Sequence, residues 1–444
     1  MPNINDTYAS VLSGYSGSVN DRRSELLTGI LAYAKPLSLN DMEAAALASL
    51  GYTGALNDAW DKYIKALGGF GISAKADYLS STFYGNPVPF LFKASEPGAW
   101  YDPSDLTTLF QDSAGVTPVT APAQTVGLVL DKSQGLTLGS ELWSDAGVTI
   151  GTGWTVVSGV YTHTAGTDTI RKSIGLVTGK TYQVTFTVSG RTTGSIGPVY
   201  GGTVNGPTVT ANGTYTQRVA SGTNALLYFQ PSIDFVGSVS GISVKLLAGN
   251  HATQATLAQR PTYQIDSTGR PYLSFDGVDD GMVTSTITPA TDKVQVFAGV
   301  RKLSDANRGL LAELSATPNL NSFTLFAPNA LTTEYAWTSR GSASATITSP
   351  TTYPSPITNI LTAIGDIAAP VATLRINGAQ VATSAATQGT GNYLAYPLYI
   401  GRRGGTTLPF NGRLYSLIVR FGASLTTGQI TSTEKWVNSK TGAF

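Results

Sequence analysis

The chain has no cysteine in 444 residues. That absence removes thiolate metal sites, cysteine nucleophiles and any disulfide framework. Charge is scarce too: Asp, Glu, Lys and Arg make up 12% of the sequence, about half the usual ~25% share. The 28 basic and 27 acidic residues leave a net charge of +1, too small a field to gather nucleic acid or an anionic membrane surface. No apolar run approaches the ~18 residues that suggest a spanning helix. Residues 1–20, "MPNINDTYASVLSGYSGSVN", have neither a basic start nor an apolar core, so no secretory signal is expected there. Histidine occurs only as His163 and His251. Neither stands in an HExxH helix or beside a serine elbow, so the metalloprotease and hydrolase motifs are missing.

What is present is glycine, 49 residues of it, with much Ser and Thr. That mixture suits short strands and tight turns with hydroxyls on the outward faces. Residues 1–70 differ from the rest. "NDRRSELLTGILAYAK" puts Leu26, Leu27, Ile30 and Leu31 on one helical stripe. "SLNDMEAAALASLG" starts at a cap and stops at Gly51. "LNDAWDKYIKALGG" spaces Leu56, Trp60, Tyr63, Ile64 and Leu67 as an amphipathic face. Three short helices are expected, too small a set to bury much surface unaided. Residues 71–89 read as a linker.

Beyond Phe90 the readable elements are strands. "KTYQVTFTVSG" alternates Tyr182, Val184, Phe186 and Val188. "ISVKLL" (242–247), "KVQVFAGV" (293–300), "SFTLFA" (322–327) and "RLYSLIVRF" (413–421) follow suit. Asn377-Gly378 between two strand-like runs predicts a hairpin. "SLTTGQITSTEKWVNSKTG" predicts a terminal helix lying on the sheet.

Two segments look like halves of one unit. Residues 98–135 end abruptly at "VGLVLDKSQG", and "GNHATQATLAQRPTY" (249–263) begins as abruptly. Joined, and continued through "LSFDGVDDGM" and "FNGRLYSLIVRF", they resemble the concanavalin A-like (laminin G-like) lectin/glucanase domains of phage tail and fibre proteins. The resemblance rests on Trp100, Tyr101, Asp102, Asp112, Asp131, Lys132, Ser133, His251, Phe275, Asp276, Gly277, Asp279 and Asp280, and covers roughly 90–135 and 249–444. The intervening residues 136–248, with "GTGWTVVSGVYTHTAG" and "KTYQVTFTVSG", are similar to the small jelly-roll, carbohydrate-binding-like modules of phage fibres. A guest module with adjacent termini is cheaply accepted at a loop tip. The resemblance therefore implies a mainly β chain of two antiparallel β-sandwiches, a jelly roll inserted into a concanavalin A-like sandwich, preceded by a small N-terminal α-helical domain.

Candidate site residues follow from chemistry. Asp276, Asp279 and Asp280 are the densest carboxylate cluster. They are candidate calcium ligands, set against a structural role capping a glycine turn; no other cofactor is expected. Exposed aromatics stack on sugar C–H faces while amides and charges read hydroxyls. On that basis Trp154, Tyr161, His163, Arg171, Tyr200, Tyr215, Tyr228 and Gln230 are glycan candidates in 136–248, and Trp337, Tyr393 and Arg402–Arg403 in the host sandwich. Trp154 also reads as a core plug, His163 as a pleat filler, and His251 as part of a hydrogen-bonded loop. Only one of Tyr228 and Phe229 can face outward. No paired-carboxylate glycosidase pattern is evident, so no catalysis is expected.

The expectation from these readings is a phage virion protein, made in the host cytoplasm. It would be a fibre or appendage subunit that docks onto other virion proteins through residues 1–70. Its β-domains would meet a host-surface glycan without nucleic-acid or membrane contact. Assembly as a homo-oligomer, with a trimer favoured, would multiply weak contacts into avidity. The rivals are a capsid, collar or baseplate component that binds no sugar, a polysaccharide depolymerase, and a secreted adhesin.

Overall fold

The computed structural model describes residues 86–92, 95–329 and 332–444. The three helices expected within 1–70, and the linker as far as residue 85, lie outside the described residues. The chain divides into two compact units, Met1–Lys93 with Leu425–Trp436, and Ala94–Ser424 with Val437–Phe444. In the first, the described parts are a 3-10 turn, Val88–Phe92, and the beginning of the helix Thr427–Thr441. Val88, Leu91 and Phe92 are buried. The helix begins at a reciprocal cap: the Gln429 backbone N–H donates to the Thr426 hydroxyl, and the Thr426 N–H donates to the Gln429 side-chain oxygen.

The second unit is mainly β and antiparallel throughout. One sheet of eight strands runs in the order Thr262–Ile265, Pro271–Asp276, Asn411–Phe421, Lys293–Lys302, Ile357–Asp366, Val371–Ile376, Ala379–Ser384, with Gly98–Tyr101 also paired to Asn411–Phe421. A nine-stranded sheet runs from Leu109–Phe110 through Leu128–Val129, Ala252–Thr253, Met282–Ile287, Tyr396–Ile400, Leu310–Leu314, Phe323–Phe326 and Ala336–Arg340 to Ser344–Thr348. Their facing sides share one apolar core, in which Ala99, Tyr101, Leu109 and Val129 pack in the same cluster as Leu273, Phe275, Leu325, Trp337 and Val419. The Trp337 indole N–H crosses the layers to the Ile364 carbonyl at 3.1 Å. Asn377 (φ +51°) and Gly378 (φ +80°) make the expected tight hairpin, since both positions need positive φ. The last turn of the terminal helix sits over Gly299, where any Cβ would collide with Thr441 and Val437.

Strands between Leu138 and Leu247 pair only with one another, among the described residues. They form a six-stranded sheet around Thr181–Thr193 and Val236–Leu247, and a five-stranded sheet ordered Val204–Asn205, Ile196–Tyr200, Leu226–Pro231, Ile170–Ser173, Thr149–Ile150. Their own core gathers Trp154, Tyr161, Tyr182, Val184, Phe186, Tyr200, Phe229 and Phe235. Its two ends meet, the Ala248 N–H donating to the Thr137 carbonyl at 3.1 Å. A seam joins it to its host: Arg218 lies over the Phe110 ring at 4.8 Å and donates to the Gly115 carbonyl at 2.8 Å.

The two distant segments of the host sandwich are clasped by one carboxylate. Asp131 is fully buried. It accepts the backbone N–H groups of Trp100 (2.7 Å), Ser133 (2.8 Å) and Asn250 (2.6 Å), and the Ser133 hydroxyl (2.8 Å). His251 completes the knot: its Nδ1 accepts the Asp131 N–H at 2.9 Å, so the expected hydrogen-bonded loop is present. Burial pushes the His251 imidazole down to about 4, which keeps that nitrogen an acceptor at neutral pH. Replacing Asp131 by Ala would strand three buried N–H donors. We expect Asp131→Ala to destabilise the chain by about 3–5 kcal/mol in urea unfolding; a change below ~1 kcal/mol would refute the clasp.

Candidate functional site

On the outer side of the eight-stranded sheet lies a polar pocket lined by Asp266, Ser267, Thr268, Arg270, Arg301, Thr358, Arg413, Tyr415, Thr441 and Gly442. Its floor follows from strand register. Arg301 and Arg413 are directly opposed on adjacent strands, and Thr358 flanks Arg301 on the other side. Like charges opposed across a ladder are destabilising unless something negative joins them. Arg301 donates to the Thr358 hydroxyl at 3.0 Å. Arg413 lies 4.6 Å from the Tyr272 ring, which in turn tilts against Tyr415 at 5.4 Å. The wall is the turn Asp266–Arg270. There Asp266 accepts from the backbone N–H groups of Thr268 and Arg270 and, at 3.1 Å, from the Tyr415 hydroxyl. Burial opposes its ionisation, but these bonds and the Thr268 hydroxyl hold the carboxyl down at about 2. The pocket thus presents a fixed carboxylate, three guanidiniums and several hydroxyls, a lining that can both accept from and donate to a polyhydroxylated ligand.

Of the residues expected to touch glycan, six are buried and lack the free ring face or edge that contact requires. Trp154 plugs its core, its indole N–H bonded to the Asp168 carbonyl at 2.7 Å and its ring 4.7 Å from His163. His163 is sealed between Trp154 and Phe235, with Nδ1 2.6 Å from the Phe235 carbonyl. The Tyr161 and Tyr200 rings are buried, their hydroxyls donating to Asp145 and Gln217. Trp337 and Tyr393 lie in the host core, Trp337 at an inward strand position and Tyr393 from the loop before Tyr396–Ile400, its hydroxyl on Ser339 and its ring against Phe421. Tyr215 is half-buried and donates to the Ala211 carbonyl. Arg171, Tyr228 and Gln230 come together: Arg171 is directly opposite Tyr228, and Gln230 lies two residues on, all on the outer face of the five-stranded sheet, while Phe229 points in. Of the arginine pair, Arg402 donates to the Asp279 carbonyl at 3.0 Å and Arg403 forks Glu313.

Asp276, Asp279 and Asp280 place ligand atoms within 4.8 Å of one another. They also serve the turn: Asp276 accepts the N–H groups of Val278 and Asp279, and Asp280 accepts the Asp276 N–H at 2.9 Å.

The pocket residues were missed by sequence reasoning, which searched for exposed aromatics. The signal was there as Arg413 and Tyr415 alternating in "GRLYS", and as Arg301 at the polar end of "KVQVFAGVRK". Their convergence depends on strand order.

No family model and no curated protein matches this chain. Solved structures resemble parts of it. The Ruminococcus gnavus IT-sialidase CBM40 bound to α2,3-sialyllactose is 18% identical, with 33% of this chain and 84% of that one covered and a TM-score of 0.28. The botulinum neurotoxin serotype D binding domain is 12% identical over 40% and 47%, with a TM-score of 0.30. A native heptameric SAP-like pentraxin from Limulus polyphemus is 18% identical over 36% and 78%, with a TM-score of 0.30. Similarity this low carries no information on what this chain binds.

Burial pushes the Asp280 carboxyl up to about 7; the Asp276 N–H opposes the rise, and the charges of Asp276 and Asp279 add to it. The folded state therefore holds a proton that the unfolded chain releases near pH ~4. The resulting stability is full below pH ~4 and is lost as pH rises through about 7. Asp280→Asn keeps an acceptor for the Asp276 N–H and abolishes the titration. We expect it to be more stable than wild type by about 1–2 kcal/mol at pH 8, a figure discounted for solvent screening, and equal to it at pH 4 in denaturant melts.

Proposed function

We propose that this chain is a phage virion protein, a fibre or appendage subunit. It docks onto the particle through residues 1–70 and binds a host-surface glycan without cutting it. The observation that carries the glycan reading is the opposed Arg301–Arg413 pair beside the Asp266 carboxylate and Tyr415 in one polar pocket. A sugar's hydroxyls would accept from the guanidiniums and donate to the Asp266 carboxylate, and an acidic substituent would accept from the guanidiniums and offset the repulsion between Arg301 and Arg413. No cofactor is required by this reading: the Asp276–Asp280 turn is a backbone cap. Added calcium is accordingly expected to leave the melting temperature unchanged in calorimetry. Homotrimeric display would multiply weak contacts into firm attachment.

Arg413→Gln and Arg301→Gln remove one fork each while relieving like-charge repulsion, so the fold should be retained or slightly strengthened. On a glycan array probed with the full-length protein, each variant is expected to lose roughly 10–100-fold in affinity for whatever sugar the wild type binds. Unchanged binding in both variants would overturn the assignment of the pocket, and turnover of host polysaccharide in a reducing-end assay would overturn the non-catalytic reading.

A further inference from the structure

The nine-stranded sheet carries a second convergence of charge, also on its outer side. Register sets Tyr399, Glu313, Thr324, Thr338 and Thr346 side by side in one row. Glu313 is fully buried, and an isolated carboxylate there would be prohibitively costly. It is satisfied completely by two partners. Arg403 forks it through Nε (2.7 Å) and Nη2 (2.8 Å), and the Thr324 hydroxyl donates to it at 2.8 Å.

Two further arginines stand in the same cluster. Arg340 donates from Nη1 to the Thr324 hydroxyl at 2.7 Å. Arg308 lies 4.1 Å from the Phe326 ring, the ring that Arg403 approaches at 5.4 Å, and donates from Nη2 to Asn329. Neither has a carboxylate in ion-pair reach among the described residues, and Arg308 Nε is buried with no acceptor. Burial, with the neighbouring guanidiniums, draws the pKa of both below the usual arginine value, while Glu313 pulls the other way. Neutralising Glu313 accounts for Arg403 alone. Arg308 and Arg340 add two half-buried charges that repel each other and Arg403, and the neutral partners they have, Asn329 and the Thr324 hydroxyl, do not offset those charges.

We propose that Arg308, Arg340 and Arg403 form a binding site for an oxyanion, the carboxylate, sulfate or phosphate group of a ligand. Neighbouring planar guanidiniums that outnumber the one carboxylate beside them suit such groups better than any neutral ligand. Phe326 is buried beneath the arginines, and the half-buried Tyr399 and Leu408 packed against it border the cluster as the apolar wall a sugar ring or acyl group would rest on. The site is on a different sheet from the Asp266–Arg413 pocket and does not depend on it.

The test compares wild type with Arg308→Gln and Arg340→Gln, each away from the Glu313 fork, in the full chain. Melting temperatures are read in low-millimolar sodium sulfate against sodium chloride of equal ionic strength, and calorimetric titrations use sulfate, a glucuronate-containing oligosaccharide and its neutral counterpart. The proposal expects a sulfate-specific rise in wild type that shrinks in both variants, with at least tenfold weaker oxyanion binding. Tighter binding of the glucuronate sugar than of sulfate would assign the group to an acidic glycan; binding of sulfate alone would assign it to a free anion. The Arg413→Gln variant is expected to keep the whole Arg308- and Arg340-dependent increment. Equal responses in wild type and both cluster variants, or loss of the response in Arg413→Gln alone, would overturn the site.

Discussion

The architecture depends on a single buried carboxylate. Asp131 receives donors from the strand at Trp100, from its own turn at Ser133 and from Asn250, more than a hundred residues further along the chain. A buried acceptor with that many donors fixes geometry, because each donor would be orphaned if any of the three segments moved. His251 adds a bond in the opposite direction and stays neutral through burial. The chain can therefore leave the host sandwich near Gly135, build a second core, and return at Gly249 without losing register. The clasp stands beside the two crossing points, with the Ala248–Thr137 bond holding them together.

On both outer faces of the host sandwich, positive charge is gathered in excess of the carboxylate beside it. In a sequence this poor in charge, six arginines in two clusters are a large share of the basic residues. Each cluster holds one carboxylate: Asp266, low in pKa because the turn and the Tyr415 hydroxyl donate to it, and Glu313, buried and forked. Opposed or neighbouring guanidiniums lower stability. Retaining them makes physical sense if a bound ligand supplies the missing acceptors, which is the logic of both site assignments.

How much of this was legible beforehand follows from the range of each signal. Period-two alternation located the strands at Lys293–Lys302, Phe323–Phe326 and Asn411–Phe421, and Asn377-Gly378 located its hairpin, because both signals are local. The abrupt seams at "DKSQG" and "GNHAT" pointed to the segments that Asp131 joins. The sites were less legible. Large aromatics were read as ligand platforms, yet in a two-layer sandwich the inward positions claim them: Trp154, Tyr161, Tyr200, Trp337 and Tyr393 are all core. Arg171, Tyr228 and Gln230, named as glycan candidates, lie on an outer face but do not border a described pocket. The arginines that converge come from strands and turns far apart in sequence. Arg301 meets Arg413 through strand order, and Arg308 meets Arg403 through a loop, so no local window contains either cluster.

The most direct test of the central claim is a crystal structure of the full chain soaked with an oligosaccharide that it binds on a glycan array. The account predicts ordered sugar density between Asp266 and the Arg301–Arg413 pair, with hydroxyls on the carboxylate and guanidiniums. Ordered sugar confined to another surface, such as the Arg171–Tyr228 face of the five-stranded sheet, would contradict it.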